Sequence, residues 1–584
     1  MTIAAPRTKQ SSGADPVRRP LRRRTSLLAN GEPMVWLTGG TLVVSLVMIA
    51  GLLGTVIWFG VGTFWPAPLT ELNTVDGRRL LGEVTGAESF EPSADVLSRL
   101  PDAVRDQRTA LVEERGGTAE RRLLRTGNFE LSGKHFEWVS DFEVDGETAP
   151  EWGVVVERMT WGRFYGYPTA FRIDGEDVAS TPEDAWAKFQ EYHDVSRDRY
   201  EERLSIDVHE IGAVNRRGEN ARLRLRDVEL EHGVDSDAWR TENERYLEVE
   251  GEVASEFEEL SRKRNELMDE NKRYELVLTT SSGDEAPLVV ADIVRAYPAN
   301  QLGFFEKVGV YLSRWWEFLS ERPRESNSEG GVLPAIFGTV AMTMIMSIIV
   351  VPFGVLAALY LREYAKQGLV VSAVRIAVNN LAGVPSIVFG VFGLGFFCYI
   401  IGDRIDHVFF ASKLPDPTFG TGGLMWASLT LALLTLPVVI VATEEALSAV
   451  PASMREGSYA CGATKWQTIK KIVLPRAAPG IMTGMILAIA RGAGEVAPLM
   501  LVGVVKHAPE LAVDGVFPYI HAQRSFMHLG FHIYDVGFQS QNSEAAKPMV
   551  FTTTLLLITL IVVLNLLAIW IRARLRRRFQ GAAI

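Results

Sequence analysis

Two charged residues, Arg491 and Glu495, lie in an otherwise apolar stretch of the chain with the sequence ARGAGEVAPL. Four positions separate them, so on a helix they share one face and lie about 6 Å apart. Since a charge inside a hydrocarbon layer is costly, such a residue usually faces a partner or a water-filled cavity. The planar guanidinium of arginine can bind two oxygens of an oxyanion at once. The pair predicts an anion path through a membrane or, alternatively, an ion pair that joins two helices.

The position of Arg491 along its segment adds to this prediction. It lies ten residues beyond Ile481, about 15 Å along a helix, so we expect it near the middle of the bilayer. A second polar cluster, with Asn380, Pro385 and Ser386, lies in the apolar segment NNLAGVPSIVFG. Proline kinks a helix and frees a carbonyl group that needs another partner. These residues either line the same path or serve ordinary helix packing.

A basic segment between two apolar spans, Ser453–Pro475, has the sequence SMREGSYACGATKWQTIKKIVLP, and we call it the basic connector. Its residues 453–456 and 464–467 both have the S/T-x-x-E/Q form of a capping box. Gly462 lies between them, where a first helix needs a left-handed closing residue. Pro475 is expected to mark the end of a second helix. The pattern predicts a short helix, a sharp turn and another short helix.

The basic connector resembles the cytoplasmic loop of bacterial ABC importer permeases, whose form is E-A-A-x3-G-x9-I-x-L-P. In this chain Gly457 and Ser458 replace the two alanines. The resemblance implies that residues 443–478 form a cytoplasmic coupling loop that docks into a groove of an ATPase subunit. The alternative is a basic loop that only lies on the membrane surface. The implied coupling residues are Glu456, Gly462, Ala463, Lys465, Ile472, Leu474 and Pro475.

The motifs PAIFGT, NNLAGVPSIVFG, the basic connector and ARGAGEVAPL, in that order, resemble the PstA type of phosphate ABC importer permease. Typical members have GETAPL where this chain has Val496 in place of threonine, and the partner permease PstC usually continues GETMA. The resemblance covers the first span and everything after about residue 330. It implies a bacterial inner-membrane importer of inorganic phosphate. Its implied partners are a PstC-like permease, a PstB-like ATPase dimer, a periplasmic phosphate-binding protein and membrane lipids.

Several chemistries are disfavoured by what the sequence lacks. It contains no G-x-x-x-x-G-K-[ST] phosphate loop, so we expect no enzyme activity here and ATP hydrolysis in a separate chain. His521, His528 and His532 lack a clear cysteine or carboxylate ligand set, so neither a metal nor another cofactor is expected. The basic tails suit membrane orientation better than nucleic-acid binding. Cys398 and Cys461 are expected on opposite sides of the membrane, without a disulfide.

Long uncharged runs predict six membrane spans. The first is residues 34–60, after a basic tail at residues 1–33, and the last ends before a basic tail at residues 572–584. The net charge of −11 arises mainly from acidic residues 71–329. By the charge rule both termini lie in the cytoplasm and residues 66–330 lie in the periplasm. The other five predicted spans are Leu333–Leu361, Ser372–Ile401, Gly423–Ala442, Pro479–Val505 and Met549–Ile571.

Residues 66–330 form an insertion for which the resemblance offers no role. Alternating and aromatic segments within residues 129–178 predict strands. Charged residues with helical spacing at 182–209 and 235–274 predict a helical hairpin or short coiled coil. Residues 302–319 read as an amphipathic helix that lies along the membrane surface, with a soluble packing helix as the alternative.

These patterns together predict a mainly α, polytopic membrane protein with six transmembrane helices. The expected fold is that of a type I ABC importer permease, at residues 331–571, with a large α+β extracytoplasmic insertion. The leading function is phosphate import. The alternatives are a permease for another oxyanion, such as phosphonate or molybdate, and a membrane-anchored sensory or interaction protein. In a third, combined interpretation the insertion docks the binding protein or a cell-wall component.

Overall fold

The computed structural model describes residues 32–508, 510–517, 519–540 and 543–580. Most of the predicted N-terminal tail and residues 581–584 therefore lie outside the described residues. The chain divides into two compact units between Trp58 and Phe59. The first helix, α1, runs over Glu32–Gly62, and its uncharged part, Met34–Gly62, agrees with the predicted first span.

The insertion begins with a five-stranded antiparallel sheet in the order β4-β3-β2-β1-β5. Leu72, Leu124 and Val139 form part of its buried core. The sequence patterns missed the first three of these strands, since charged residues interrupt their alternation, and residues 129–132 form a short helix. The elements are β1 Leu69–Thr74, β2 Arg79–Phe90, α2 Ala94–Ser98, α3 Asp102–Glu114, β3 Ala119–Arg125, α4 Phe129–Ser132, β4 Phe136–Ser140 and β5 Val144–Thr148.

A second antiparallel sheet comes next, in the order β10-β9-β7-β6-β11, with β8 paired to β7. Helix α5 packs on it through the buried side chains of Ala185 and Phe189. The strands are β6 Val154–Arg158, β7 Arg163–Ile173, β8 Glu176–Ala179, β9 Tyr274–Thr279, β10 Glu285–Val289 and β11 Ile293–Pro298, and the helices inserted between them are α5 Pro182–Ser205, α6 Ile211–His232 and α7 Asp237–Lys272.

The three inserted helices form the predicted hairpin, with a longer first arm than expected. A π-helical turn, Ile206–Glu210, joins α5 to α6 without a break. The reversal uses left-handed residues, Gly233 at φ +82° and Asp235 at φ +68°. Gly218 faces Val253 of α7, and a Cβ added there would be in ordinary van der Waals contact with it at 3.5 Å. Helix α6 also contacts residues 411–413 of a later loop.

Helix α8, Phe304–Ser320, ends the insertion, before the two-residue strands β12 (Pro323–Arg324) and β13 (Glu329–Gly330). Beneath α8 lies a set of buried, mutually paired charges that we call the ion lattice. Glu157 is its central carboxylate and is 6% exposed. The lattice consists of Glu83, Glu157, Arg163, Arg295, Arg314, Glu317 and Arg324.

Within the described residues, six helical segments are long and apolar enough to cross a membrane: Met34–Gly62, Leu333–Tyr364, Ser386–Phe409, Leu424–Ser448, Lys465–Ala493 and Ser543–Arg574. The number agrees with the prediction. The helices of this part are α9 Leu333–Leu359, α10 Leu369–Leu381, α11 Ser386–Phe392, α12 Asp403–Phe409, α13 Leu424–Ser448, α14 Ala452–Ala460, α15 Lys465–Thr468, α16 Leu474–Ala493, α17 Leu499–Val502, α18 Leu529–Tyr534 and α19 Ser543–Gln580.

Two predicted spans have the wrong bounds because of prolines. The predicted span Ser372–Ile401 is broken, because Pro385 has ψ +136° and precedes α11 instead of kinking a continuous helix. The predicted span Pro479–Val505 instead runs from Lys465 to Ala493. Pro475 does not end a helix. It lies inside the continuous helix Lys465–Ala493, directly after the π-helical turn Ile469–Val473, where the spacing of the backbone hydrogen bonds changes.

Helix α13 is the centre of the membrane part and packs on both α9 and α16. Small residues allow α13 to pack closely against α9 and α16. A Cβ added at Gly484 would lie 2.8 Å from the Cβ of Ala442, and one added at Gly354 would lie 2.6 Å from the side chain of Val439. Gly484 therefore permits the close approach of α13 and α16, and Gly354 that of α9 and α13.

Replacing Glu157 with Gln should destabilise the insertion by about 3–5 kcal/mol, because buried guanidiniums then lose their shared carboxylate. Burial alone would raise the pKa of Glu157, but Arg314, Arg295 and Arg163 outweigh it and hold the pKa well below its usual value. The folded carboxylate therefore contributes stability at neutral pH, and this contribution fades only in strong acid. Hydrogen exchange of β6, β7 and α8 measures the effect. Exposed Glu258, changed to Gln, is the control, and equal protection in both variants would contradict the account.

Candidate functional site

Arg491 and Glu495 lie at a helix end and not in the middle of a span. Arg491 is in the last turn of α16, and Glu495 comes after the helix, beyond Gly494. Arg491 Nε lies 3.7 Å from Glu495 Oε1, and the two side chains are 34% and 22% exposed. The pair is therefore formed within one helix terminus. Because the helix begins at Lys465, well before Ile481, Arg491 lies near the end of this helix and not ten residues from its start. Its depth in the bilayer stays a prediction.

Buried residues from distant parts of the chain hold the turn after α16. The backbone N–H of Leu529 donates to Thr339 Oγ1 at 3.0 Å, and His528 Nδ1 accepts from the N–H of Gly530 at 3.1 Å. Gly530 lies against Val496 of the turn. Burial lowers the pKa of His528 to about 4, so the ring is neutral at physiological pH. The sequence suggests only a metal-ligand role for His528, because no local pattern indicates this packing role.

The two glycines next to the Arg491–Glu495 pair, Gly492 and Gly494, have different surroundings. A Cβ added at Gly492 would lie 2.6 Å from Met346 Sδ, so this residue permits the close approach of α16 and α9. Gly494 has no such neighbour, and the nearest atom to an added Cβ is 3.9 Å away. Its role is instead the end of the helix.

The second predicted polar cluster lies on an uncovered surface of this chain. Asn380 and Pro385 are exposed, and Ser386, the first residue of α11, is half-buried. The preceding residue Asn379 shares an open cleft with Leu487, one helical turn before Arg491. Asn379 and α16 thus border the same open cleft. Its lining includes neither the cluster nor Arg491, and among the described residues no hydrogen bond or ion pair joins the two.

The first half of the basic connector forms a short helix and a left-handed turn, as predicted. The second helix is not short, because α15 continues through the π-helical turn Ile469–Val473 into α16. Helix α14 ends before Gly462, whose φ is +79°. Thr464 and Gln467 form a capping box, with Gln467 N donating to Thr464 Oγ1 at 3.3 Å and Thr464 N donating to Gln467 Oε1 at 2.8 Å. The second predicted box is wrong. Helix α14 already begins at Ala452 with Pro451 as its cap, so Ser453 lies inside the helix.

The residues that match the importer loop separate into an exposed set and an embedded set. Glu456, Gly462 and Lys465 are exposed, and Ala463 is half-buried. Tyr459 and Trp466 add aromatic surface nearby, 42% and 52% exposed. The later matched residues, Ile472, Leu474 and Pro475, are half-buried in or next to α16. The first half of the connector is therefore mostly exposed, whereas its second half packs against the spans.

Arg455 fastens the exposed half of the connector to two spans. Its guanidinium donates to the carbonyl of Val450 at 2.6 Å, to the carbonyl of Leu447 at 2.8 Å and to Glu363 Oε1 at 3.0 Å. Leu447 is in the last turn of α13, and Glu363 lies in the π-helical turn that continues α9. The sequence indicated only a basic surface residue here, because the acceptors are separated from it in the chain.

The remaining candidates give no further chemistry. In the part of the chain that the structure describes, no cluster of three or more His, Cys, Asp or Glu side chains has the arrangement of a metal site. His521 instead faces Asp514, at 3.0 Å. Cys398 is buried and Cys461 is exposed, and both are free.

The comparisons with known proteins agree with this architecture. Residues 350–580 match the family described as binding-protein-dependent transport system inner membrane component. A probable ABC transporter permease protein, YqgH of Bacillus subtilis, is 36% identical over 34% of this chain and 62% of its own length. The phosphate transport system permease protein PstA of Mycobacterium leprae is 41% identical over 32% of this chain and 57% of its own length. The chain thus covers less than two thirds of either relative.

A solved structure of the MetNI methionine ABC transporter, in inward-facing conformations, is 21% identical and covers 42% of this chain and 95% of that chain. Its TM-score of 0.31 is too low to establish a shared fold. The sequence matches confirm the resemblance seen in the motifs. Residues 350–580 are therefore similar to inner membrane components of binding-protein-dependent transport systems, and the similar relatives include permeases that are named PstA.

Proposed function

We propose that this chain is a permease subunit of an ATP-driven importer of inorganic phosphate and forms one half of the translocation path. The observation that carries the proposal is the state of the Arg491 guanidinium. Among the described residues it makes no hydrogen bond, and its 3.7 Å separation from Glu495 exceeds an ordinary one. A partly exposed guanidinium with free donors can bind two oxygens of an oxyanion.

The same geometry weighs against a purely structural ion pair. Arg491 and Glu495 belong to one helix terminus, so their pairing joins no two helices. Glu495 is close enough to orient the guanidinium and to weaken anion binding, which favours release of the substrate. The cleft beside α16 is open on this chain, as expected if a second permease supplies the other wall.

Coupling to ATP hydrolysis is proposed to pass through the basic connector. Its exposed residues Glu456 and Gly462 occupy the positions that dock into the ATPase in the family that the motif resembles. A force on α14 reaches the ends of α13 and α9 through the three hydrogen bonds of Arg455. The connector is therefore placed to convert movement of an ATPase subunit into rearrangement of the spans.

The proposed assembly contains a PstC-like second permease, a PstB-like ATPase dimer and a periplasmic phosphate-binding protein. Support comes from the relative that is named as a phosphate transport permease and from the coupling motif. The proposed location is the bacterial inner membrane, with both termini in the cytoplasm and residues 66–330 in the periplasm. The distribution of basic residues supports this orientation.

A permease for a different oxyanion would use the same guanidinium chemistry. Uptake of labelled phosphate in the presence of excess phosphonate or molybdate distinguishes a phosphate permease from a permease for another oxyanion. If only unlabelled phosphate inhibits uptake, the result supports a phosphate permease. If phosphonate or molybdate inhibits more strongly than phosphate, the substrate is that anion and the proposal is wrong.

Replacing Arg491 with Ala should lower phosphate uptake at least about tenfold, because hydrogen bonds to charged groups contribute about 1.5–3 kcal/mol each. Assembly should survive, since the side chain makes no hydrogen bond among the described residues. Uptake in vesicles and copurification of the other subunits measure the two effects. Arg491→Lys, which keeps the charge without the fork, should restore only part of the uptake. Normal uptake in the Ala variant removes Arg491 from the path.

Replacing Gly462 with Val should uncouple ATP hydrolysis from uptake, because a β-branched residue resists a φ of +79°. ATPase activity of the assembled complex should continue while uptake per ATP hydrolysed falls. The matched control is Gly457→Ala, since Gly457 is helical with open space around its Cα. Equal coupling in both variants would show that the left-handed turn is dispensable.

Replacing Arg455 with Ala should also reduce uptake per ATP hydrolysed, since the connector loses its hold on α13 and α9. Hydrogen exchange should rise in residues 452–463. Glu363→Gln removes one partner of the same clamp, so the double variant should show a non-additive effect on coupling. Additive effects would mean that Arg455 and Glu363 act separately.

A further inference from the structure

An apolar stripe runs along the outer face of α8. Phe305, Leu312, Trp316 and Leu319 are 87%, 59%, 73% and 38% exposed. They recur every three or four positions when Gly309 is included, so they form one continuous face of the helix. A row of large exposed side chains of this kind indicates a surface that is covered by lipid or by protein.

The opposite face of α8 is unusual because charged side chains are buried there. Arg314 donates to Glu157 Oε1 at 2.9 Å, to the carbonyl of Phe64 at 3.0 Å and to the hydroxyl of Tyr297 at 2.6 Å. Glu317 accepts from Arg295 at 2.9 Å. Both charged side chains are less than a tenth exposed. These bonds fix the rotation of α8 about its axis, with the apolar stripe facing outward.

Both ends of α8 lie beside the ends of candidate spans. Tyr311 donates to the carbonyl of Val61, in the last turn of α1, at 3.1 Å. At the other end, Val332 N donates to the carbonyl of Phe318 at 2.8 Å, directly before the span that starts at Leu333. The helix therefore extends between the end of one span and the start of the next, where a membrane surface must lie.

We propose that the α8 stripe is a membrane contact that lies in the headgroup–acyl boundary of the outer leaflet, and that the ion lattice is the clamp that directs it there. Tryptophan and other aromatic residues favour this boundary, and interfacial helices insert their apolar face about 5–10 Å deep. The seventeen residues of α8 give a stripe of about 25 by 10 Å. That area is well below the roughly 800 Å² per partner of a stable protein interface. The inference does not rest on the transported substrate.

Spin labels test the contact in the full-length chain. In a cysteine-free background, C398S/C461S, single cysteines at F305C and W316C are labelled in nanodiscs of phosphatidylethanolamine and phosphatidylglycerol. Collisions with oxygen, which is concentrated in lipid, are compared with collisions with a water-soluble nickel chelate. Ile348→Cys, at a 68% exposed residue of α9, is the lipid reference, and Glu259→Cys in α7 is the water reference.

Greater access for oxygen than for the nickel chelate at both α8 positions, as at residue 348, supports the proposal. A response like that at residue 259 overturns it in favour of an aqueous surface. Inaccessibility to both reagents overturns it in favour of a protein partner.

The clamp has a separate test. Arg314→Met keeps much of the side-chain length but removes its hydrogen bonds, so the label at residue 316 should lose its preference for oxygen and become more mobile. Arg262→Met, at an exposed residue of α7, is the control. Arg295→Met, which breaks the lattice at another member, should act in the same direction. An unchanged label in both lattice variants, with the circular dichroism of the folded chain retained, overturns the role of the lattice.

Discussion

The N–H groups of a guanidinium that is shielded from water must donate to acceptors within the protein. Three arginines of this chain differ in how many acceptors they have. Arg455 and Arg314 are each bonded to three acceptors from different elements. Their bonds define how parts of the chain are joined. Arg491 is partly exposed and has only a distant carboxylate beside it. Arg455 and Arg314, which are each hydrogen-bonded to three acceptors, therefore join different parts of the chain. Arg491, whose guanidinium makes no hydrogen bond among the described residues, is the candidate for binding an anion.

The basic connector illustrates how a small surface can act on large elements. Its first helix has no buried residue and is held by Arg455 and by the 2.8 Å hydrogen bond between the hydroxyls of Ser458 and Thr468. The residues that continue into α16, such as Ile469 and Val473, are fully buried with Leu447 and Leu359. A displacement of α14 therefore acts on the span bases through hydrogen bonds on one side and through close packing on the other. Close-packed interiors transmit such displacements because they have few voids to absorb them.

Short sequence patterns correctly predicted structural features that depend only on residues close together in the chain. The Thr464 capping box, the left-handed Gly462 and the number of spans depend on neighbouring residues, and the structure contains all three. The prolines show the limit of this reasoning. Pro385 interrupts a span and Pro475 does not, because Pro385 has an extended conformation before α11, whereas Pro475 follows a π-helical turn inside one continuous helix. Arg455, Thr339 and His528 could not be assigned, since their partners are distant in sequence and no pattern marks them.

The insertion must be held in place without preventing movement of the spans that an importer requires. The ion lattice and Arg314 join the insertion firmly to residues 61–65 and to α8, at the edge of the membrane part. The contact between the hairpin and the outer loops is of a different kind. Arg216 lies 3.7 Å from Glu510, and both side chains are more than a third exposed. Exposed pairs of this type contribute about 0–1 kcal/mol. This ion pair therefore adds little to the contact that α6 makes with residues 411–413, while the ion lattice fixes the base of the hairpin.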